Sequence, residues 1–235
     1  MCSSDLVINR GYVHCSSAIS EEAARAEFAR KNPKALLADR VVKFRTGRYQ
    51  RAWVDNVMAV GNACGFVEPL ESSALMVVCG QCQNFAELMK CIGATRSVQD
   101  LFNADVAATW DDIRDFLTLH FWLNTLLDTP YWQACQHDTD ISRLTELLKF
   151  YEETGPTGYA RYLLKNKGTS FGIEGYLAMF VGNRLPYRNR HHPTDKEWQI
   201  VNLERSGFRM QAQDGLDVPE ALAYIRHPNW RWNRE

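Results

Sequence analysis

From Ser97 to Phe121 the sequence carries one sustained apolar stripe. Leu101, Phe102, Val106, Trp110, Ile113, Phe116, Leu117, His120 and Phe121 keep the 3.6-residue period of an α-helix. A stripe of this length makes the second part of the chain helical. A further helix is expected after Asp140, with Leu144, Leu147, Leu148 and Tyr151 on one face and a break at Gly155-Pro156. Tyr176–Val181 is a short apolar segment, and a last helix is expected to include Pro219–Ile225.

The first third reads differently. Ser20 followed by Glu21 and Glu22 is a helix start, a side-chain cap with carboxylates at the positive dipole end. Ala24 and Phe28 share a face, and Asn32-Pro33 stops that helix. Residues 41–45 (VVKFR) predict a strand, Thr46-Gly47 a turn, and Arg48–Val54 an antiparallel return. Val57–Val60 is apolar without alternation and ends at Gly61, which predicts a short buried strand. A helix opens near Ser72, with Leu75, Val78, Cys79 and Cys82 at helical spacing. The order is mixed α/β first and mainly helical afterwards. The expected division is residues 1–95, an α/β core, and residues 96–235, a helical region.

Composition narrows the function classes. With 235 residues, 46% hydrophobic and 23% charged, the chain is in the globular range, outside the disordered, collagenous and coiled-coil classes. A net charge of −1 argues against a broad basic surface for nucleic acid. The apolar runs Ala74–Cys79 and Tyr176–Val181 are too short to span a bilayer, so no membrane partner is expected. The seven cysteines show no disulfide spacing, and reduced thiols in a cytoplasmic protein are the simpler reading. No signal peptide is expected at the start. Met1-Cys2-Ser3-Ser4-Asp5-Leu6 is what the end of a common sequencing adapter encodes in one frame, so a cut N-terminal edge is expected.

Chemistry concentrates between Trp53 and Ala74. A strand delivers the chain to Gly61; Gly61 and Gly65 allow positive φ or close approach of a ligand; Pro69 stiffens the turn. A helix then begins with unpaired amides near Ser72–Leu75, a site for an anion or polar heterocycle. Glu71 stands beside it, which suits proton handling or stabilisation of a cation. A carboxylate that merely satisfies the helix dipole is the other reading. Elsewhere, Cys79 and Cys82 spell C-x-x-C without a second pair and are expected in the core, and no metal site is expected. His191-His192-Pro193 is expected in a solvated loop, and His120 as a satisfied core histidine. The Arg/Trp-rich stretch His227–Arg234 is expected to be a packed tail.

The string Gly61-Asn62-Ala63-Cys64-Gly65-Phe66-Val67-Glu68-Pro69-Leu70-Glu71-Ser72-Ser73 resembles the signature of flavin-dependent tryptophan halogenases. Trp53-x-x-Asn56-x-x-Ala59-x-Gly61, Gly11-Tyr12-Val13, Phe44…Gly47-Arg48, Arg114-Asp115-Phe116, His120-Phe121 and Asp128-Thr129-Pro130-Tyr131-Trp132 are also similar to that family. The resemblance runs over about residues 10–187 and implies the C-terminal part of a two-domain, FAD-dependent monooxygenase-type α/β fold, α+β in this stretch. It implies FAD, reduced by a separate flavin reductase, whose hydroperoxide oxidises chloride or bromide. The oxidised halogen then meets an electron-rich aromatic substrate beside a catalytic lysine.

Residue by residue, Glu71 matches the family's catalytic glutamate. The backbone amides of Ser73 and Ala74 match its halide site. Gly61, Asn62, Gly65, Phe66, Pro69 and Ser72 match its flavin-contacting turn. Ala74 replaces a glycine, and Leu126 stands where members often carry arginine. Ser170–Leu177 departs from the indole-binding segment of tryptophan-specific members and looks more like members acting on phenols, pyrroles or larger substrates. Phe171 there has two readings, a ring that stacks on substrate and an ordinary core aromatic. No G-x-G-x-x-G occurs in the sequence, so flavin binding by the 235 residues alone is expected to be weak or nil, and no lysine matches the catalytic one. A hydroxylating flavin monooxygenase and a non-catalytic helical module are the alternative functions.

Overall fold

The computed structural model describes residues 10–35, 40–166 and 170–231. The opening hexapeptide and the end of the Arg/Trp-rich tail lie outside them. The chain divides into two compact units, Met1–Asn189 and Arg190–Glu235.

The first unit is built on α-helices with four very short strands. Helix α1 is Glu21–Lys31, capped by Ser20 Oγ accepting the Ala23 amide at 3.2 Å. Strands β1 (Gly47–Arg48) and β4 (Gly65–Phe66) pair antiparallel, Gly47 opposite Phe66. Strands β2 (Trp53–Val54) and β3 (Val57–Met58) form a hairpin around Asp55-Asn56. Helices α2 (Ala74–Cys91) and α3 (Arg96–Trp122) follow, then α4 (Pro130–Asp138), α5 (Thr145–Thr154) and α6 (Gly172–Gly182). Thr95 caps α3 by accepting the Val98 amide. The architecture is α+β with helix dominant.

Helix α3 organises the unit. Its 27 residues span about 40 Å at 1.5 Å each and touch two cores. Val98, Phe102, Val106, Trp110, Ile113 and Leu117 pack against Ala52, Trp53, Cys64 and Val77. Phe116, Leu119 and Leu123 pack against Leu144, Leu147, Tyr151, Ile173, Tyr176 and Phe180. The apolar face of α5 is thus buried as its spacing predicts, and Gly155 ends that helix at φ 76°.

The strand expectations need correction. Residues 41–45 form no strand; the segment is exposed and is not paired with any described strand. Gly47 is not a turn but pairs with Phe66, and the hairpin turn falls at Asp55-Asn56. Val57 is exposed, so Val57–Val60 is not a buried strand. Polar side chains of α3 do much of the work expected of neighbouring strands. Asn103 Oδ1 accepts the Ala52 and Trp53 amides at 2.7 and 2.8 Å, and its Nδ2 donates to Trp53 O at 2.9 Å. Gln99 Nε2 donates to Asp55 O at 3.1 Å. Arg48 forms a two-pronged pair with Asp111 at 2.9 and 3.0 Å.

The C-x-x-C reading is also corrected. Cys79 and Cys82 are exposed on α2, whose buried positions are Val77 and Gln81. Leu75, at 77% exposure, shares the open side, while Val78 is half-buried and Phe85 and Leu88 further along the helix pack against the core formed with α3.

The second unit contains α7 (Asp195–Gln213) and α8 (Val218–Ile225). Both begin with a capping box: Thr194 with Glu197, and Asp217 with Glu220. The α8 helix matches the expected last helix. Trp230 packs edge-on against Tyr224, with centroids 5.0 Å apart.

Candidate functional site

The site is assembled from the turn between β4 and α2 and the later part of α3. A 3-10 turn, Gly61–Ala63, precedes β4. Gly61 is buried at φ +56°, and its amide donates to Gln81 Oε1 at 2.8 Å. A Cβ there would lie 2.5 Å from Val78 Cγ2. At Gly65 a Cβ would lie 2.8 Å from Trp110 Cε2. The space beside both glycines is therefore closed by this chain's own side chains. Their smallness answers to helix packing rather than to an open approach for a ligand.

Asn62 is exposed between them, and Phe66 packs edge-on against Phe44 with centroids 5.0 Å apart. Cys64 is buried; burial pushes its thiol up, opposed by the facing N–H groups of Gln81 and Trp110 and the charge of Arg48. Those two N–H groups, Gln81 Nε2 and Trp110 Nε1, do not reach hydrogen-bond geometry with the sulfur.

Beyond β4 the chain turns sharply. Pro69 O accepts the Ser72 amide at 3.0 Å. Ser72 sits at φ +52°, a left-handed conformation that costs a non-glycine residue about 1 kcal/mol or more. That strain aims Ser73 and Ala74 into the start of α2. The first amide returned to this turn is Val77 N, to Ser73 O at 3.1 Å, and Ser73 Oγ caps nothing. The amides of Ala74 and its successors therefore begin the helix without an intrahelical acceptor, at the positive end of its dipole. Ser73 is buried while Ala74 is exposed. This donor set suits a small anion.

Glu71 stands at the edge of that helix start, its side chain one-third exposed. Its Oε1 lies 2.6 Å from His120 Nε2 on α3. The other ring nitrogen, Nδ1, is 3.2 Å from Phe116 O. His120 is satisfied, as its place in the stripe suggests, but one of its partners is the motif glutamate. Spacing within α3 carries no signal of that pairing, because the 48 intervening positions include a whole helix and a loop. Glu68 is the third titratable group here. Burial pushes its carboxyl up and the neighbouring Glu71 adds to this, while the Leu70 amide and His120 oppose it. Its Oε2 accepts the Leu70 amide at 3.0 Å, whereas its buried Oε1 has no partner.

Phe171 begins α6 and stacks on Phe116, centroids 3.9 Å apart and planes 13° apart. The ring bridges both cores, so one of its faces is already occupied by a core aromatic. Asp128–Trp132 forms the start of α4, with Thr129 accepting the Trp132 amide, and Leu126 is exposed in the preceding loop. Among the described residues no three His, Cys, Asp or Glu side chains gather as metal ligands. His191 is exposed and pairs with Glu197 at 3.2 Å. Among the described residues no helix is long and apolar enough to cross a membrane.

This arrangement is the fold of flavin-dependent halogenases. MibH, a lanthipeptide tryptophan 5-halogenase of known structure, superposes with a TM-score of 0.76 at 34% identity, over 91% of this chain and 42% of that one. BrvH, a flavin-dependent halogenase from Brevundimonas sp. BAL3, gives a TM-score of 0.66 at 27% identity, over 84% and 39% of the two chains. The tryptophan halogenase family profile matches residues 5–197, and the chain belongs to that family. Tryptophan 7-halogenase KtzQ of Kutzneria sp. (strain 744) is 35% identical over 147 residues, 60% of this chain and 27% of the relative. Tryptophan 6-halogenase ThaL of Streptomyces albogriseolus is 35% identical over 160 residues, 63% and 29% of the two. The chain thus spans under a third of the length of these curated relatives.

Proposed function

We propose that these residues form the halide- and substrate-facing part of a flavin-dependent halogenase acting on an electron-rich aromatic ring. The observation that carries the reading is that Glu71, held by His120, lies on the turn that leads into the uncapped start of α2 at Ser73 and Ala74. An anion held there and a carboxylate beside it are the two groups that electrophilic halogenation asks of a protein: one positions halide, the other takes the proton that leaves the ring carbon. Ala74 keeps its N–H, so the change from glycine leaves the donor in place.

FAD fits this chain in part. The exposed turn and the helix-start amides suit a polar ring edge and a halide. The space beside Gly61 and Gly65 is closed, and the sequence carries no glycine-rich pyrophosphate cradle. When bound with oxygen, reduced FAD supplies the oxidising equivalents that turn chloride or bromide into an electrophilic halogen. Asn62, Phe66, Pro69 and Ser72 would face the cofactor, while Gly61 and Gly65, closed by Val78 and Trp110, shape the turn that carries them. Phe171, fixed on Phe116, stands on the substrate side.

Membership of the family supports the reaction, and the departure of Ser170–Leu177 from the indole-binding pattern supports a ring carried on a larger molecule. The likeness to MibH, a lanthipeptide tryptophan 5-halogenase, points the same way. A separate flavin reductase and a cytoplasmic setting complete the proposal; the thiols, free among the described residues, agree with the latter. The test is product mass from the holoenzyme, supplied with reductase, oxygen and either chloride or bromide. A halide-dependent mass gain is expected. A product that gains oxygen alone at saturating halide replaces halogenation with hydroxylation.

A further inference from the structure

The pairing of Glu71 with His120 goes beyond the motif. Glu71 is on the turn before α2 and His120 is on the last two turns of α3. They meet at 2.6 Å, Nε2 to Oε1. The ring is also held from behind. Nδ1 faces Phe116 O at 3.2 Å, a backbone carbonyl that can only accept. Nδ1 therefore carries a hydrogen, and the imidazole plane is fixed by the helix itself. The Phe116 ring packs edge-on against it, with centroids 5.2 Å apart. With Nδ1–H committed, the Nε2–Oε1 contact is a hydrogen bond only when one proton is shared between imidazole and carboxylate.

Resting on the functional reading above, we propose that His120 is a positioning residue for Glu71. Through the proton already shared between Nε2 and Oε1 it fixes the carboxylate beside the helix-start amides and leaves Oε2 to accept a proton. The balance is simple. Hypohalous acid gives its halogen to the ring carbon as its halogen–oxygen bond breaks and the oxygen leaves, with a proton from solvent, as water. The ring carbon loses its proton to Glu71 Oε2, which passes it to solvent, while the proton between Oε1 and Nε2 stays in place. No redox partner enters this step. The other charged group facing the pair is Glu68, on the same turn as Glu71. The fourth atom of the pair's surroundings, Phe116 O, does not titrate. Phe116 also carries the stacked ring of Phe171, so the fixed histidine and the substrate-side aromatic share one support.

Two measurements test this. In the 235-residue chain labelled with 15N-histidine, His120 is expected to show a protonated Nδ1, and Glu71→Gln is expected to move its Nε2 resonance. An unmoved His120 in Glu71→Gln overturns the proposal. This readout needs no turnover and no particular acceptor ring.

In the holoenzyme, with indole as the acceptor and bromide as the halide, His120→Ala is expected to lower kcat about ten- to a hundredfold, the scale of a misplaced catalytic group. KM for indole should stay within about twofold. His120→Gln, which keeps an N–H near the Nε2 position, should recover most of the rate, a rescue that His120→Leu should not give. If Glu71→Gln is itself as fast as the parent, the assignment of Glu71 falls and takes this role with it. If Glu71→Gln is slow but His120→Ala is as fast as the parent, the positioning role alone is overturned.

Discussion

Asn103 holds Trp53 from both sides: its Oδ1 accepts the Trp53 amide at 2.8 Å and its Nδ2 donates to the Trp53 carbonyl at 2.9 Å. The same oxygen takes the Ala52 amide at 2.7 Å. One side chain on α3 thus performs the pairing that a neighbouring strand performs in a larger sheet. Because all three backbone groups are buried, losing the amide leaves them unsatisfied. Asn103→Ala is expected to cost about 2–4 kcal/mol. Urea unfolding should show the midpoint falling with the slope unchanged. A loss below about 0.5 kcal/mol would mean that water replaces the clamp.

Gly61 and Gly65 are set by packing, and this separates them from residues kept for a ligand. Gly61→Ala places a Cβ 2.5 Å from Val78 Cγ2 at a φ of +56°. The combined strain and clash should cost about 1–3 kcal/mol. Val78→Ala removes the clash and not the backbone strain. The double variant Gly61→Ala/Val78→Ala is therefore expected to show a favourable coupling above about 0.5 kcal/mol. Strict additivity would place the cost of Gly61→Ala in the backbone alone.

Much of the helical part is legible in sequence because side-chain period and caps are local. Ser20 caps α1, Gly155 stops α5, and the Phe102-Val106-Trp110-Ile113-Leu117 face of α3 is buried as spaced. Leu101, on the same stripe, is 63% exposed, while Asn103 beside it is buried. Hydrophobicity cannot announce Asn103, because its value lies in three backbone groups 50 and 51 residues away. The strands fail for a related reason. VVKFR has strand composition, yet a strand exists only where a partner backbone lies alongside. Helix α4 has a cap at Thr129 but weak apolar periodicity, so its sequence does not stand out; α7, capped by Thr194, is as periodic as α3 yet buries none of its residues. At the site, the motif marks Glu71, Ser73 and Ala74. It is silent on His120, which reaches the turn only because α3 folds back across it.

Arg48 and Asp111 join β1 to α3 through two hydrogen bonds. The guanidinium holds the Asp111 carboxyl below the usual aspartate range, chiefly through those bonds, against a smaller opposing effect of burial. A depressed carboxylate stabilises the fold above the unfolded value, about pH 3.9. That contribution is lost as pH falls through the lower, folded value. Asp111→Asn should therefore be less stable than the parent at pH 7, and the two should converge in acid. Parallel curves down to pH 2 would remove the ion pair as the cause.

Glu68 has the opposite sign. Burial raises its carboxyl, so the folded chain binds its proton more tightly than the unfolded chain does. Stability from this group is greatest below about pH 4.3 and declines as pH rises through the folded value. Glu68→Gln keeps an oxygen for the Leu70 amide and removes the buried charge. The variant should be more stable than the parent at pH 7, and its advantage should vanish towards pH 4. A constant advantage at both pH values would assign it to packing instead.

The thiols give a reading of which face of α2 is covered. Cys64 is buried, and burial raises its thiol, so the reactive thiolate is scarce there. Cys79, Cys82 and Cys91 are exposed along α2. Brief alkylation of the native chain with iodoacetamide, read by peptide mass, should label those three and spare Cys64. Cys64 should react only as the chain unfolds, in step with the loss of tryptophan fluorescence from Trp53 and Trp110, which share its core. Protection of Cys79 and Cys82 in the native chain would show that their face of α2 is covered, with Leu75 beneath the same cover.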